Sequence, residues 1–535
     1  MSVAMRLPAA GRRLNAGMIA ALLVASGGLY LRWAPPAPDL AAQVARAEVV
    51  RVHGISSWWT GWFGGMLLPD YSLLSPAWMA MLGVRATAVL AVAVTTAAGY
   101  RLSRPALRPR ATVLATAVFS FANVMDGRIT FAAGIAVASL ALLSIYGDRA
   151  LVLTVALTAA AYAASPLAGF FLGLVLLALA VGDEDRRRPA VAAAGVLVAV
   201  ALLMAMFFPG TGTMPFPVTS ALPAVLCCLL VVGCAGHRTI RLAGGLTLLA
   251  IAVLLVVPSP IGENVTRLSW TYSVPVLVAT MRSRRWQIAV VLAAVAAWPV
   301  TDLVQQLSTT GAPSTRAGYY QPLIDRLQQA RAGQPAADLG QRLEVLDTNN
   351  HWPTVYLAAM SLARGWDRQA DRADNPIFYR PGLTSESYHA WLHSLAVGWI
   401  AVPAAPLDYA AQAESRIVAA RPGYLRLVWS NQDWQLFRVL DAPPLATGAR
   451  VTAVAATGID LAVPAPAEVQ LRVRWSPYLT LLSSAGQPAG GCLQDDHGFL
   501  RIAVPAAGRY RLVSHFDPVR GITGAHEDCV IPPAG

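Results

Sequence analysis

Two aspartates could act as bases. Asp39 follows a proline in APPAPDLAAQVARAEVVRVHG, and Asp70 follows Pro69 in MLLPDYSLLSP. A positioned carboxylate can take the proton of an attacking hydroxyl. Two arginines could answer them. Arg128 closes Asn123-Val124-Met125-Asp126-Gly127-Arg128, and Arg267 closes Gly262-Glu263-Asn264-Val265-Thr266-Arg267. A guanidinium is a planar fork of donors suited to phosphate, so two of them could hold a lipid pyrophosphate. Each residue also has a plainer reading. Asp39 would be a helix N-cap and Asp70 a turn residue. Asp126 and Arg128 would be an interfacial ion pair ending two helices, and Arg267 would snorkel to headgroups.

These residues need elements to hold them. The chain has 535 residues, 56% hydrophobic and 13% charged. A soluble chain carries roughly 25% charge. The deficit excludes disorder, a nucleic-acid arm and an ordinary cytosolic enzyme, and points to a membrane protein. The net charge is +12, and the sequence contains no lysine. With Ala, Val, Leu and Arg so abundant, this basic balance calls for no nucleic-acid partner. Eleven apolar runs suggest spans at 17–33, 77–100, 111–125, 129–146, 150–164, 166–181, 190–208, 219–235, 242–257, 268–281 and 286–304. Ser165-Pro166 is either a kink in one long helix or a tight hairpin between two. Residues 1–16 read as a basic flank rather than a cleavable signal.

Arginines alternate with these runs. They gather at Arg6, Arg12 and Arg13, at Arg101 to Arg110, at Arg149, at Arg186 to Arg188, at Arg238 and Arg241, and at Arg282 to Arg285. The positive-inside rule makes that side the cytoplasm. An odd count leaves the N-terminus inside and the C-terminal domain outside, whereas ten or twelve spans would reverse the domain. Arg128 and Arg267 then fall in outer loops.

The first outer loop, 34–76, is too long for a connector. Leu40, Val44, Ala47 and Val50 have helical spacing and predict an amphipathic surface helix. Asp39 and Gln43 share a face of it, with Arg46 one turn further on. Trp58, Trp59 and Trp62 suit a membrane interface.

The remainder, 305–535, has no spanning run. Polar residues 305–345 predict a surface helix. Residues 351–379 interleave aromatic and charged side chains, including Trp352, Arg364 and Trp366. Such faces suit sugar contact, or else form an interdomain surface with Arg–Asp bridges. His351, His389 and His393 show no metal spacing within one segment. Strands are expected at 399–402, 424–429 and 434–439, then near 450–455, 468–475 and 499–513, with residues 446–535 forming a small β-sandwich. Cys492 and Cys529 are the only cysteines of this part, and outside the cytoplasm they are expected to pair. Cys227, Cys228 and Cys234 read as apolar filler in the eighth span. There is no P-loop, dinucleotide fingerprint, GxSxG or HExxH.

Several strings carry a resemblance: WFGGMLLPDYSLLSP, DGRITFAAG, SPLAGFFLG and GENVTRL, with HWPTVYLAAMSLARGWDRQADRADNPIFY and AWLHSLAVGWIAVP further on. With the eleven runs and the long first loop, most of residues 17–440 resembles the GT-C superfamily of membrane glycosyltransferases, and in particular actinobacterial membrane proteins of the YfhO-like kind. The resemblance implies a polytopic α-helical fold, with a GT-C-like part at 1–304. An extracytoplasmic α+β part at 305–445 and a β-rich module at 446–535 would follow. It implies a polyprenyl-phosphate sugar donor and an envelope glycan, lipid or protein acceptor. Asp39 matches the base position of the first loop, with Asp70 as runner-up. Gln43, Asp126, Arg128, Asn264, Arg267, Trp352, Arg364 and Trp366 would bind substrate. A divalent metal stays open. The sequence departs from the pattern in one respect, because Asp39 stands alone where many such enzymes carry paired acids. Two other classes stay open as well: a non-catalytic scaffold that binds envelope glycans, and a lipid or sugar transporter. Residues 190–257 carry charge only in their connecting loop, which argues against ion-coupled transport.

Overall fold

The computed structural model describes residues 16–147, 149–210 and 212–524. Arg6, Arg12, Arg13 and Cys529 lie outside the described residues. The membrane part begins with α1 (Ala16–Trp33) and the loop helix α2 (Pro38–His53). There follow α3 (Ser75–Leu82), α4 (Val84–Leu102), α5 (Pro109–Met125) and α6 (Ile129–Tyr146). Next come α7 (Leu151–Ala164), α8 (Pro166–Gly182), α9 (Arg187–Phe207) and α10 (Val218–Cys234). The series closes with α11 (Arg238–Val256), α12 (Thr266–Thr280) and α13 (Arg285–Ser308). Each expected run is therefore helical. The run at 77–100 is not one helix, because α3 and α4 meet at a bend of 111°. Gly83 sits at that bend with φ 87°, which a glycine adopts without steric cost. Ser165-Pro166 is a hairpin: Ser165 caps α8 by accepting from the Ala168 N–H, and Pro166 opens the helix.

Among the described residues, α6, α9, α11 and α13 are long and apolar enough to cross a membrane, and the bent α3–α4 pair would make a fifth span. Val198, Leu202, Leu249, Val256, Val290 and Val304 stand exposed on α9, α11 and α13. An apolar face of that extent belongs in lipid. The arginine-rich loops meet at one end of the bundle. There Leu107 N–H donates to Ala279 O, Gly236 N–H to Thr280 O, and Arg108 Nη1 to Met281 O.

At the other end, the long first loop is not an interfacial belt. It forms a hairpin, β1 (Trp58–Trp59) with β2 (Met66–Leu67). Trp58, Trp59 and Trp62 are buried in protein rather than set at a membrane edge. Trp58 enters the core of the C-terminal β-sandwich, and Trp62 lies against Gly365, where a Cβ would come within 2.2 Å of its ring. Indole area is better buried in a packed core than left at an interface.

The C-terminal part opens with α14 (Ala317–Ala332) and β3 (Arg342–Val345). The expected helix over 305–345 thus covers less, and β3 is wholly buried. Then come α15 (Pro353–Tyr356), α16 (Arg368–Asp374), α17 (Ser385–Ser394), β4 (Val397–Pro403), α18 (Gln412–Ala419), β5 (Leu425–Ser430) and β6 (Trp434–Val439). The sheet order is β3-β4-β6-β5, with β3 and β4 parallel. α17 and α18 bury Tyr388, Leu392 and Val418 against Ile400 and Phe437 of this sheet.

β7 (Ala446–Thr447), β8 (Arg450–Ala455), β9 (Gly458–Val463), β10 (Ala467–Arg474), β11 (Leu479–Ser483), β12 (Cys492–Asp496), β13 (Phe499–Val504) and β14 (Gly508–Ser514) make two four-stranded sheets. Val469, Leu471 and Ile502 of one pack with Leu461, Leu481 and Leu512 of the other. Cys492 is disulfide-bonded, while Cys227, Cys228 and Cys234 are free.

Candidate active site at the start of the loop helix

Pro38 occupies the first helical position of α2, where its missing N–H costs nothing. Two indoles from the C-terminal part hold this entry. Trp352 Nε1 donates to Pro36 O at 2.9 Å, and Trp366 Nε1 donates to Pro38 O at 3.1 Å. Ala37 is the N-cap, so Asp39 is not the cap the sequence suggested, and its side chain makes no capping bond. A carboxylate in the first turn still suits the helix dipole.

Freed from capping, Asp39 turns to cations. Its Oδ2 lies 3.1 Å from Arg267 Nη2 and 3.7 Å from Arg128 Nε. Arg128 also reaches Asp302 Oδ2 at 2.9 Å and Asp126 Oδ2 at 3.0 Å. The ends of α2, α5, α6, α12 and α13 thus meet at one point. Gly127 makes the approach possible. Its φ is 80°, and a Cβ there would come within 2.4 Å of the Leu40 nitrogen. Gln43, one turn along α2, accepts from Thr130 N–H at 3.2 Å and from the Thr130 hydroxyl, and donates to the Tyr71 hydroxyl at 3.3 Å. It pins α2 on α6.

Exposure separates the members of this group. Asp39 is 31% exposed and Arg267 20%, against 10% for Arg128 and 1% for Asp126. Asp302 is 25% exposed, so the open edge is Asp39 and Asp302 with Arg267. Asp126 points at Arg128 off the line of a hydrogen bond, and both its oxygens lack a donor. Burial pushes its carboxyl up to about 7, helped by Asp302 and Asp39 and opposed by Arg128. Burial works against the Arg128 charge, but Asp126, Asp302 and Asp39 outweigh it and raise that group. Burial likewise raises Glu263, on the short turn before α12. Asn264 is half-buried on the same turn.

Asp302 was not among the expected residues. An acid near the end of an otherwise apolar helix is the signal that could have found it.

The remaining candidates lie elsewhere. Asp70 belongs to a second group around Arg46, whose Nη2 is 2.6 Å from Asp367 Oδ2 and whose guanidinium lies 4.2 Å from the Tyr71 ring centre. Asp70 Oδ1 is buried without a donor. Burial pushes its carboxyl up to about 7, with Asp367 adding and Arg46 opposing. Arg364 belongs to a third group, forked onto Asp371 at 3.1 and 2.6 Å and bonded to Glu414 at 2.8 Å. Trp352 and Trp366 spend their indole N–H groups on the backbone before α2 and at its start.

No family model matches the chain, and no curated protein matches it. Among solved structures, the chain is similar to the arabinofuranosyltransferase AftD from Mycobacteria at 11% identity, covering 94% of this chain and 57% of that one, with a TM-score of 0.43. A mutant of the same protein gives 11% identity, 95% and 60% coverage, and a TM-score of 0.44. The chain thus spans less than two thirds of the AftD chain. ArnT from Cupriavidus metallidurans in the apo state is similar at 14% identity over 79% of this chain and 98% of that one, with a TM-score of 0.39.

Proposed function

We propose that the chain is a GT-C-type membrane glycosyltransferase. It would move a sugar from a polyprenyl-phosphate donor to an envelope glycan, lipid or protein on the extracytoplasmic face. The observation that supports this reading is the open Asp39 carboxylate beside Arg267 and Arg128, at the end of a bundle of apolar helices. In the proposed reaction the acceptor hydroxyl oxygen attacks the anomeric carbon. The bond from that carbon to the phosphate oxygen breaks, and the phosphate leaves with the electron pair. The hydroxyl proton passes to Asp39, acting as general base. Charge gathering on the phosphate is met by Arg267, the more open of the two cations. Arg128, engaged by three carboxylates, holds Asp39 in place.

The same reading puts the N-terminus in the cytoplasm, because the arginine-rich loops gather at the end away from Asp39. It pairs Cys492 with Cys529 in an oxidising compartment.

The second reading is a non-catalytic scaffold. It is favoured by Gln43, Trp352 and Trp366 spending their polar atoms on protein. Transfer of labelled sugar from polyprenyl-phosphate donors, measured in membranes, separates the two. Asp39→Asn should lose transfer by about a hundredfold or more at unchanged protein level. No transfer even in wild-type membranes, across several donor sugars, would end the enzyme reading, and transfer retained in both Asp39→Asn and Asp70→Asn would remove these two carboxylates as its base.

A further inference from the structure

α17 carries His389 and His393, four residues apart, so both imidazoles leave one face of the helix a turn apart. Asp441, two residues past the end of β6, comes to the same point. His389 Nε2 lies 3.0 Å from Asp441 Oδ1, and His393 Nε2 lies 3.2 Å from that oxygen. One ligand atom from each residue falls within 4.8 Å of the other two. Histidine nitrogen and carboxylate oxygen bind zinc at about 2.0–2.2 Å, which sets neighbouring ligand atoms of a tetrahedron about 3.3 Å apart. The two observed separations need only tenths of an ångström to reach that edge. Histidines at i and i+4 on a helix are a chelating pair. The Tyr424 ring stacks on His389 with centres 4.0 Å apart and fixes its plane.

We infer that His389, His393 and Asp441 form a binding site for a divalent transition metal of the zinc type. Two imidazoles and one carboxylate favour such an ion over magnesium or calcium, which prefer oxygen alone. Three protein ligands on a partly exposed surface leave the fourth position to water. The ion would tie α17 to the end of β6. The site shares no residue with the Asp39 group, so its failure leaves the glycosyltransferase reading untouched.

The test uses the full chain in detergent, purified through a tag without histidine, stripped with chelator and dialysed against zinc. Bound metal is counted by mass spectrometry, and thermal unfolding is followed with and without zinc. Wild type should hold one more zinc per chain than His393→Ala or Asp441→Ala. Zinc should raise the unfolding temperature of wild type alone, as any ligand of the native state does. The two variants change an exposed side chain, Asp441, and a partly exposed one, His393, so their metal-free unfolding should match wild type and show that they fold. Equal zinc content in wild type and both folded variants would overturn the site. So would a wild type that binds none, which would leave Asp441 as a hydrogen-bond partner of His389 and a charge beside His393 and nothing more.

Discussion

Two arginines in this chain are each ringed by carboxylates, to different ends. Arg128 faces Asp39, Asp126 and Asp302. Arg364 faces Asp371 and Glu414, with Glu344 at 3.9 Å. Around Arg364 everything is closed: Asp371 is 5% exposed, and Glu414 and Glu344 are 0%. Burial pushes Glu414 up to about 8 and lifts Glu344 well above the ordinary range, with Glu414 repelling it. Every nitrogen of the Arg364 fork already donates to a buried carboxylate. Around Arg128 the set has an open edge, Asp39 and Asp302 with Arg267, where another molecule can meet a carboxylate and a cation together. Charge density alone does not mark a site. What marks it is a charged group whose bonding capacity is not exhausted by its own protein.

The largest effect should come from breaking the closed set. Arg364→Ala leaves Asp371 and Glu414 buried without their cation. Removing one partner of a buried network costs about 3–5 kcal/mol. Thermal unfolding should show that loss, and less protein should reach the membrane, while transfer per folded molecule stays at the wild-type rate. A stable Arg364→Ala chain that had lost transfer would erase the contrast and move Arg364 into the site.

Arg267→Ala should do the reverse. Its pair with Asp39 is partly exposed, so unfolding should change by no more than about 1 kcal/mol. Losing a cation aimed at developing charge costs about a hundred- to a thousandfold in turnover. Arg267→Lys keeps the charge and loses the planar fork, so it should fall between the two. Turnover within twofold of wild type in Arg267→Ala would remove this arginine from the proposed mechanism.

The bundle was legible in the sequence because each helix is an apolar run closed by arginine, glycine or proline, and those signals are local. The face of α2 bearing Asp39, Gln43 and Arg46 was legible too, since helical spacing alone puts them there. What failed was whatever depends on a distant partner. Trp58, Trp59 and Trp62 read as a membrane belt because their cover comes from residues hundreds of positions away, such as Gly365. β3, Arg-Leu-Glu-Val, fell inside the surface helix expected over 305–345 because of its two charged residues. Instead, Arg342 donates to Leu395 O, and Glu344 sits near Arg364, both fully buried. Asp302 lies inside the run expected at 286–304, and only the fold sets it beside Arg128. His389 and His393 read as having no metal spacing, yet they stand four apart on one helix, and the sheet brings Asp441 to them.

A pH-dependent effect should come from Asp70, which lies in neither arginine set but in the group around Arg46 and Asp367. Its carboxyl stands at about 7 in the folded chain against an ordinary 3.8, chiefly through burial. The folded state therefore holds this proton more tightly than the unfolded state does. Raising pH from about 4 to about 7 should weaken the fold through Asp70, and above 7 the loss is complete. Asn at this position has no proton to lose. Asp70→Asn should thus gain on wild type as pH rises over that window, and the gain should level off above it. Unfolding midpoints of both chains at about pH 5 and about pH 8 measure the gap. A gap that stays the same at the two pH values would show that Asp70 is held ionised, beside Arg46. In that case it would be a competent base, and the contrast between an open Asp39 and a closed interior would need redrawing around two carboxylates rather than one.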